Sequence, residues 1–175
     1  MVDARVDTAR GRVLVRARAS DVPGIVALES APEMARYIGH WTAERHLEQI
    51  DDPAWWYLVT HDANGTVDGL AIVTEYSPRF RWYELARFVV ARPGEGRGTD
   101  VLVPVIDLIF DRLNAHRIQL DAYADNERAI RAYERVGFRR EGVRRAAVMR
   151  DGVWVDLVLM AALENERVVS AVQRS

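Results

Sequence analysis

Three glycines at alternate positions, Gly94, Gly96 and Gly98, stand between a strand-like run, "RWYELARFVVA", and a long apolar run, "TDVLVPVIDLIF". A strand that feeds a helix through such a loop presents the free amides of the helix's first turn and the positive end of its dipole to solvent. The glycines let an anion approach the backbone. Within the helix, Asp100, Pro104, Asp107, Asp111 and Asn114 share one stripe at helical spacing, and Val101, Leu102, Val105, Ile106, Ile109, Phe110 and Leu113 cover the rest. The pattern predicts a helix to about Asn114 with its apolar side on a sheet and the polar stripe, including the Pro104 ring, exposed. A proline in a regular helix interior costs about 3 kcal/mol, so a slight kink is expected there.

What the loop holds is constrained by its spacing. A Walker-type phosphate loop needs a lysine and Ser/Thr after its last glycine; Gly98 is followed by Thr99, and the chain contains no lysine. A dinucleotide loop needs G-x-G-x-x-G, whereas these glycines give G-x-G-x-G. Asp121 nevertheless sits at the end of the next strand, where a ribose-binding acid would stand. A plain glycine-rich turn remains the simplest alternative on the loop alone.

The second segment, "LDAYADNERAIRAYERVGF", reads as strand, helix and strand: Asn126, Ala129, Ile130 and Tyr133 share a helical face, and Gly137 ends the helix. Elsewhere "RVLVRAR" alternates as a half-buried strand. "SDVPGIVALES" is a helix capped by Ser20 or Asp21, and "TAERHLEQI" a helix capped by Thr42. "WWYLVTH" and "DGLAIVTEY" form a hairpin around Asn64-Gly65, where a tight turn requires positive φ angles, and a last strand pair is joined at Asp151-Gly152. The order is mixed α/β, with no repeat and no linker. One domain over about residues 11–166 is expected, with short frayed ends at 1–10 and 167–175.

Composition removes several function classes. No cysteine is present, so thiolate nucleophiles, disulfides and cysteine-ligated zinc are excluded, and the four histidines lack metal-ligand spacing. No metal is expected. The 24 basic residues nearly balance 26 acids, which gives no global positive field for nucleic acid. No run of 18 or more uncharged apolar residues occurs and the start has no hydrophobic signal core, so neither a membrane span nor export is indicated and a cytoplasmic location is expected.

The loop and the Leu120–Phe138 segment together resemble the GNAT superfamily of acyl-CoA-dependent N-acetyltransferases, whose pattern is R-G-x-G-x-G followed by L-x-V-x-x-x-N-x-x-A-x-x-x-Y-x-x-x-G-F. The resemblance runs from about Tyr83 to Met160, and "YELARFVV", "EGVRR" and "DGVWVDLVLM" look most like the branch of ribosomal-protein N-terminal and spermidine acetyltransferases. Two positions depart: Pro93 replaces the arginine that opens the loop, with Arg92 one place early, and Ala122 replaces a valine. The resemblance implies a mostly antiparallel sheet of about seven strands with helices on both faces and a splayed parallel pair. It implies acetyl-CoA as co-substrate, held by the strand end Val89, Val90 and Ala91, by Arg92, and by the amides of Glu95, Gly96, Arg97, Gly98 and Thr99. Asn126, Ala129 and Tyr133 would meet the pantetheine arm, and Arg128 or Arg131 could reach the 3′-phosphate. For the arginines a solvated surface, and for Asn126 an N-cap, are the plain alternatives.

The chemistry asks for a base to take a proton from an ammonium and an acid for the departing thiolate. Tyr133 matches the family's acid. Glu84, which interrupts an apolar strand, matches an acidic position used directly or through water; the alternatives are a structural ion pair with Arg87 or another arginine, and a relay of the proton by water or a main-chain carbonyl. A backbone N–H between Phe88 and Ala91, with Val90 singled out, would hold the oxyanion. Tyr37, His40 and Trp41 could line the acceptor pocket for a small-molecule or peptide amine, or belong to the core. The resemblance also implies a homodimer through the terminal strands. A GNAT-fold module that senses acyl-CoA without turnover is the alternative function.

Overall fold

The computed structural model describes residues 4–94 and 96–167. Its strands are β1 (Val6–Asp7), β2 (Val13–Arg16), β3 (Trp55–His61), β4 (Val67–Ser77), β5 (Trp82–Val90), β6 (Arg117–Tyr123), β7 (Arg139–Arg150) and β8 (Val153–Leu163). Its helices are α1 (Val22–Glu29), α2 (Pro32–Ala35), α3 (Ala43–Ile50), α4 (Arg97–Asp111) and α5 (Glu127–Arg135). The strands form one sheet in the order β1-β2-β3-β4-β5-β6-β8-β7, and only β5 and β6 run parallel. Eight strands among the described residues, where about seven were expected, reflect the short β1.

Each face of the sheet carries its own core. On one side α1, α2 and α3 bury Ile25, Leu28 and Met34 against Tyr57, Leu70 and Ile72. On the other, α4 and α5 bury Leu102, Ile109 and Ile130 against Leu58, Val73, Leu120 and Met160. The central strands are covered twice, and so Val67–Val73 of β4 is buried without alternation. At the far edge β7 and β8 lack such cover, and Val143, Met149, Val153 and Trp154 remain exposed.

Local punctuation acts largely as read. Thr42 caps α3 by accepting from the Arg45 amide at 3.3 Å, and Asp151 and Gly152 both adopt positive φ in the β7–β8 turn. Two expectations need correction. At the β3–β4 turn only Gly65 has positive φ. Asp62 instead organises a wider turn, its carboxylate accepting from the amides of Asn64 and Thr66 at 2.8 and 3.0 Å. The second correction is that Asp21 does not cap α1 through its side chain. That carboxylate accepts from the Arg18 amide and meets His61 at 2.9 Å.

The polar stripe of α4 is also not a solvent face along its whole length. Asp100 and Pro104 are buried, and the segment before β2 folds over Asp100. Asp100 accepts from the Thr8 hydroxyl at 2.9 Å and the Arg10 amide at 3.0 Å, and Arg12 bridges from it to Asp68. Residues 4–10, read as a frayed end, therefore contribute β1 and this clasp. Farther along, Asp107 and Asp111 pair with Arg167. The remainder of the expected C-terminal end, 168–175, lies outside the described residues. Asp100→Ala would strand three donors in a buried site, and we expect a stability loss of about 3 kcal/mol in urea unfolding. A loss under about 0.5 kcal/mol would show that the clasp is incidental.

Candidate active site

The parallel pair β5–β6 is joined only from Trp82–Glu84 to Arg117–Gln119. Beyond that point β5 stays with β4 and β6 with β8, so the two strands diverge. A bulge causes the divergence. Ile72 faces Arg87 while Val73 faces Leu85, which leaves Ala86 as an extra residue that bends β5. The opening is a cavity of about 400 Å³ bounded by Leu85–Val90, the glycine loop, the end of β6, the inner face of α5 and the Met34–Trp41 segment. This volume suits a small organic ligand or a coenzyme arm.

The ladder decides which β5 amides face the opening. The Ala91 amide donates to Asp68 at 2.8 Å, and Val90 sits opposite Gly69. Since bonded and non-bonded pairs alternate in an antiparallel ladder, the amides of Phe88 and Val90 point away from β4 toward the gap. Val89 and Val90 line the cavity. Ala91, whose amide is used by β4, packs into the core on the α1 side.

The loop enters α4 in left-handed geometry: Arg92, Gly94 and Gly96 have φ of 48°, 123° and 77°. Arg92 is exposed and does not line the cavity, whereas Gly94, Gly96, Gly98 and Thr99 do. The amide of Arg97 turns back to the Gly94 carbonyl at 3.0 Å, and the Asp100 amide makes the first helical bond, to Gly96, also at 3.0 Å. Arg97 therefore has its amide engaged within the loop. Glu95 lies outside the described residues. Arg10, which sequence reasoning passed over, brings its guanidinium beside Gly96: a Cβ there would stand 3.0 Å from Arg10 Nη2.

Asn126 caps α5, its side-chain oxygen accepting from the Ala129 amide at 3.2 Å, and both residues line the cavity. The capping role expected as an alternative thus coexists with a place at the site. One turn on, Tyr133 is buried among Phe88 and Phe138, with ring centroids 6.4 and 5.8 Å away, and also lines the cavity. Burial, and then the charge of Asp121, push its phenol well above the usual range. Arg128 borders the cavity, while Arg131 is exposed and paired with Glu127 at 2.8 Å.

Glu84 is half-buried at the point where β5 and β6 part, one step outside the lining residues. Burial, then Asp121, raise its carboxyl pKa, and Arg144 opposes the rise. Of the arginines considered as its ion-pair partner, Arg87 meets Glu29 instead at 3.1 Å, while Arg144 acts on Glu84 through its charge. Asp121 lines the cavity, pairs with Arg144 at 3.2 Å, and is itself raised by burial. Its position at a strand end next to the opening was legible in the sequence, but only as a coincidence within the dinucleotide reading.

On the remaining wall Tyr37 and Trp41 line the cavity, and His40 is exposed away from it. Behind them lies a buried polar chain. Glu29 approaches His46 at 3.3 Å, His46 meets the Tyr57 hydroxyl at 3.2 Å, and that hydroxyl donates to Gln49 at 3.1 Å. Among the described residues no three metal-ligating side chains gather, and no helix is long and apolar enough to cross a membrane.

A mixed sheet opened between its one parallel pair, with a glycine loop leading into a helix at the mouth, defines the GNAT fold. The chain matches the family model for the acetyltransferase (GNAT) domain over residues 12–139 and belongs to that family. It is 36% identical over 76 residues to the probable N-acetyltransferase YjcK of Bacillus subtilis, covering 43% of this chain and 42% of that protein. It is 27% identical over 125 residues to the spermidine N(1)-acetyltransferase of Vibrio cholerae, covering 70% and 72%. The crystal structure of the V. cholerae spermidine N-acetyltransferase in complex with CoA and spermine shares its fold, with a TM-score of 0.77 at 24% identity over 89% of this chain and 96% of that one. Several curated relatives are matched over only 42–63% of their length.

Proposed function

We propose that this protein transfers an acetyl group from acetyl-CoA to a primary amine by direct attack. The observation that carries this reading is the splay of β5 from β6, which opens the cavity directly between the loop at the start of α4 and Tyr133. The cavity fits the coenzyme's chemistry. Gly94 has open space where a side chain would stand, first-turn amides favour an anion, and the strand amides of Phe88 and Val90 suit an acyl oxygen and an amide-rich arm. Gly96, Gly98 and Thr99 would hold the diphosphate, with Arg10 or Arg128 adding charge, and Asn126 would hold the arm. The names of relatives that act on spermidine and on aminoglycosides support an amine acceptor.

In this reading the ammonium of the acceptor gives its proton to the Glu84 carboxylate, directly or through water. The amine lone pair then forms the C–N bond while the amide of Val90 or Phe88 stabilises the oxygen charge; the C–S bond breaks, and the second nitrogen proton passes to the departing sulfur through the Tyr133 hydroxyl or water, leaving the neutral amide and the free thiol. Tyr133 donates to the sulfur. Its raised pKa means that it stabilises the thiolate by hydrogen bonding more readily than it surrenders its proton, since the thiol reference lies near 8.5 and the phenol stands above its own ordinary value.

Glu84→Gln should lower kcat about 10²-fold or more with little change in coenzyme affinity. The direction of the Glu84 shift adds a second readout. A carboxyl whose pKa is raised by folding contributes stability below its unfolded value, and loses it as pH rises through the folded one. Removing the charge should therefore raise the melting temperature near neutral pH, and do so less in acid. The acid limb of kcat/KM should sit above the ordinary carboxylate range and vanish in the variant. An unchanged limb would take Glu84 out of the mechanism. Thiol release from acetyl-CoA over a panel of amines tests the reading as a whole; coenzyme binding with no release for any amine would favour a non-catalytic sensor.

A further inference from the structure

The cavity wall opposite Tyr133 holds a cation that neither the coenzyme nor the proton transfers use. Arg87 lines the cavity, yet its side chain is only 7% exposed. Its planar group lies 3.9 Å from the Trp41 ring centroid, and Arg45 lies at the same distance. One face cannot hold both, so the ring is sandwiched and the Arg87 fork is fixed. Glu29 stands 3.1 Å from Arg87 Nη1 as its ion-pair partner, and Nε and Nη1 are sealed from solvent, so Nη2 is the donor left to meet a ligand. Arg87 Nη2 points toward Gly39, another lining residue, where an added Cβ would stand 3.9 Å away. A donor held at a cavity wall gains a hydrogen bond when a ligand reaches it.

We propose that Arg87 binds a carboxylate of the acceptor, so that the substrate is an amine-bearing carboxylate with an apolar body, of which an apolar amino acid is the simplest case. This deepens the acetyltransferase reading and rests on it. The surrounding groups favour it over a polycation. Among the described lining residues Asp121 is the sole acid, and it is already paired with Arg144. The Met34–Trp41 wall brings Met34, Tyr37, Ile38 and Trp41 and no carboxylate. A polyamine would place its remote ammoniums beside Arg87 and Arg45 with no unpaired acid on the cavity wall to receive them, whereas a carboxylate meets a fixed cationic donor at Arg87 Nη2.

The test measures thiol release from acetyl-CoA with each of the twenty amino acids beside its carboxamide, and with spermidine and kanamycin. Calorimetry of coenzyme binding is run separately. We expect kcat/KM for the best amino acid to exceed that of its amide by about 10- to 100-fold. The double variant Glu29→Gln/Arg87→Met leaves no lone buried charge, and in it this ratio should fall toward one while coenzyme affinity stays unchanged. The wild-type comparison stands even if that variant does not fold. Amides or spermidine used as well as the amino acids would overturn the carboxylate site and leave the acetyltransferase intact. The same holds if no amino acid is acetylated or bound by the enzyme–CoA complex. Failure of the protein to bind coenzyme at all would remove the parent reading, and the proposal with it.

Discussion

Tyr133→Phe should lower kcat by about 10²- to 10⁴-fold and leave coenzyme affinity close to that of the wild type. The phenyl ring fills the same space between Phe88 and Phe138, so the packing around α5 survives and only the hydroxyl is lost. Folding should hardly change. Because the phenol is displaced upward by burial and by Asp121, it remains protonated through the working pH range, and its loss should act equally across that range. Stopped-flow thiol release with saturating amine measures the step. A rate within a factor of about two of the wild type would mean that water or another donor meets the sulfur.

Gly96→Val should reduce coenzyme affinity by about 100-fold or more. Gly96 is the residue from which α4 begins, and its φ of 77° lies where a β-branched residue is strained whatever space surrounds it. A side chain there would also displace the Arg10 guanidinium, whose Nη2 would stand 3.0 Å from its Cβ. The first-turn amides and that guanidinium would lose their common focus. Calorimetry with coenzyme A reads the effect. Near-normal affinity would demote the loop to a connection between strand and helix.

These two residues belong to the part of the site that was readable in the sequence, and the reason is physical. The glycine spacing, the Asn126–Tyr133 face and the apolar pattern of α4 are local signals, each set within one or two turns of chain. The splay was available only through family resemblance. Its immediate cause, the Ala86 bulge, depends on how β5 registers against β4, and no residue type marks it. Asp100 misled for a related reason: its spacing with Asp107 and Asp111 reads as a wet stripe, but Thr8, Arg10 and Arg12, about ninety residues earlier, cover it. Separation in sequence also hid the Glu29, His46 and Arg87 cluster, whose members come from α1, α3 and β5. Asp121 lay in plain sight, but its role depends on which side of β6 faces the gap.

The assignment of Glu84 stands on its environment and on its position where the strands part, more than on contact with the cavity. Asp121 shares its electrostatic field and borders the cavity directly. Burial raises both carboxyls and Asp121 adds to the rise at Glu84, a direction that suits a group which must accept a proton. Arg144 tempers both.

Whether the gap between the two diverging strands receives a thioester is most directly settled by a crystal structure of this protein with coenzyme A. The sulfur is predicted within hydrogen-bonding reach of the Tyr133 hydroxyl, with the diphosphate against the backbone of Gly96–Thr99. A coenzyme bound elsewhere, or a Tyr133 hydroxyl turned from the sulfur toward the protein interior, would contradict the account.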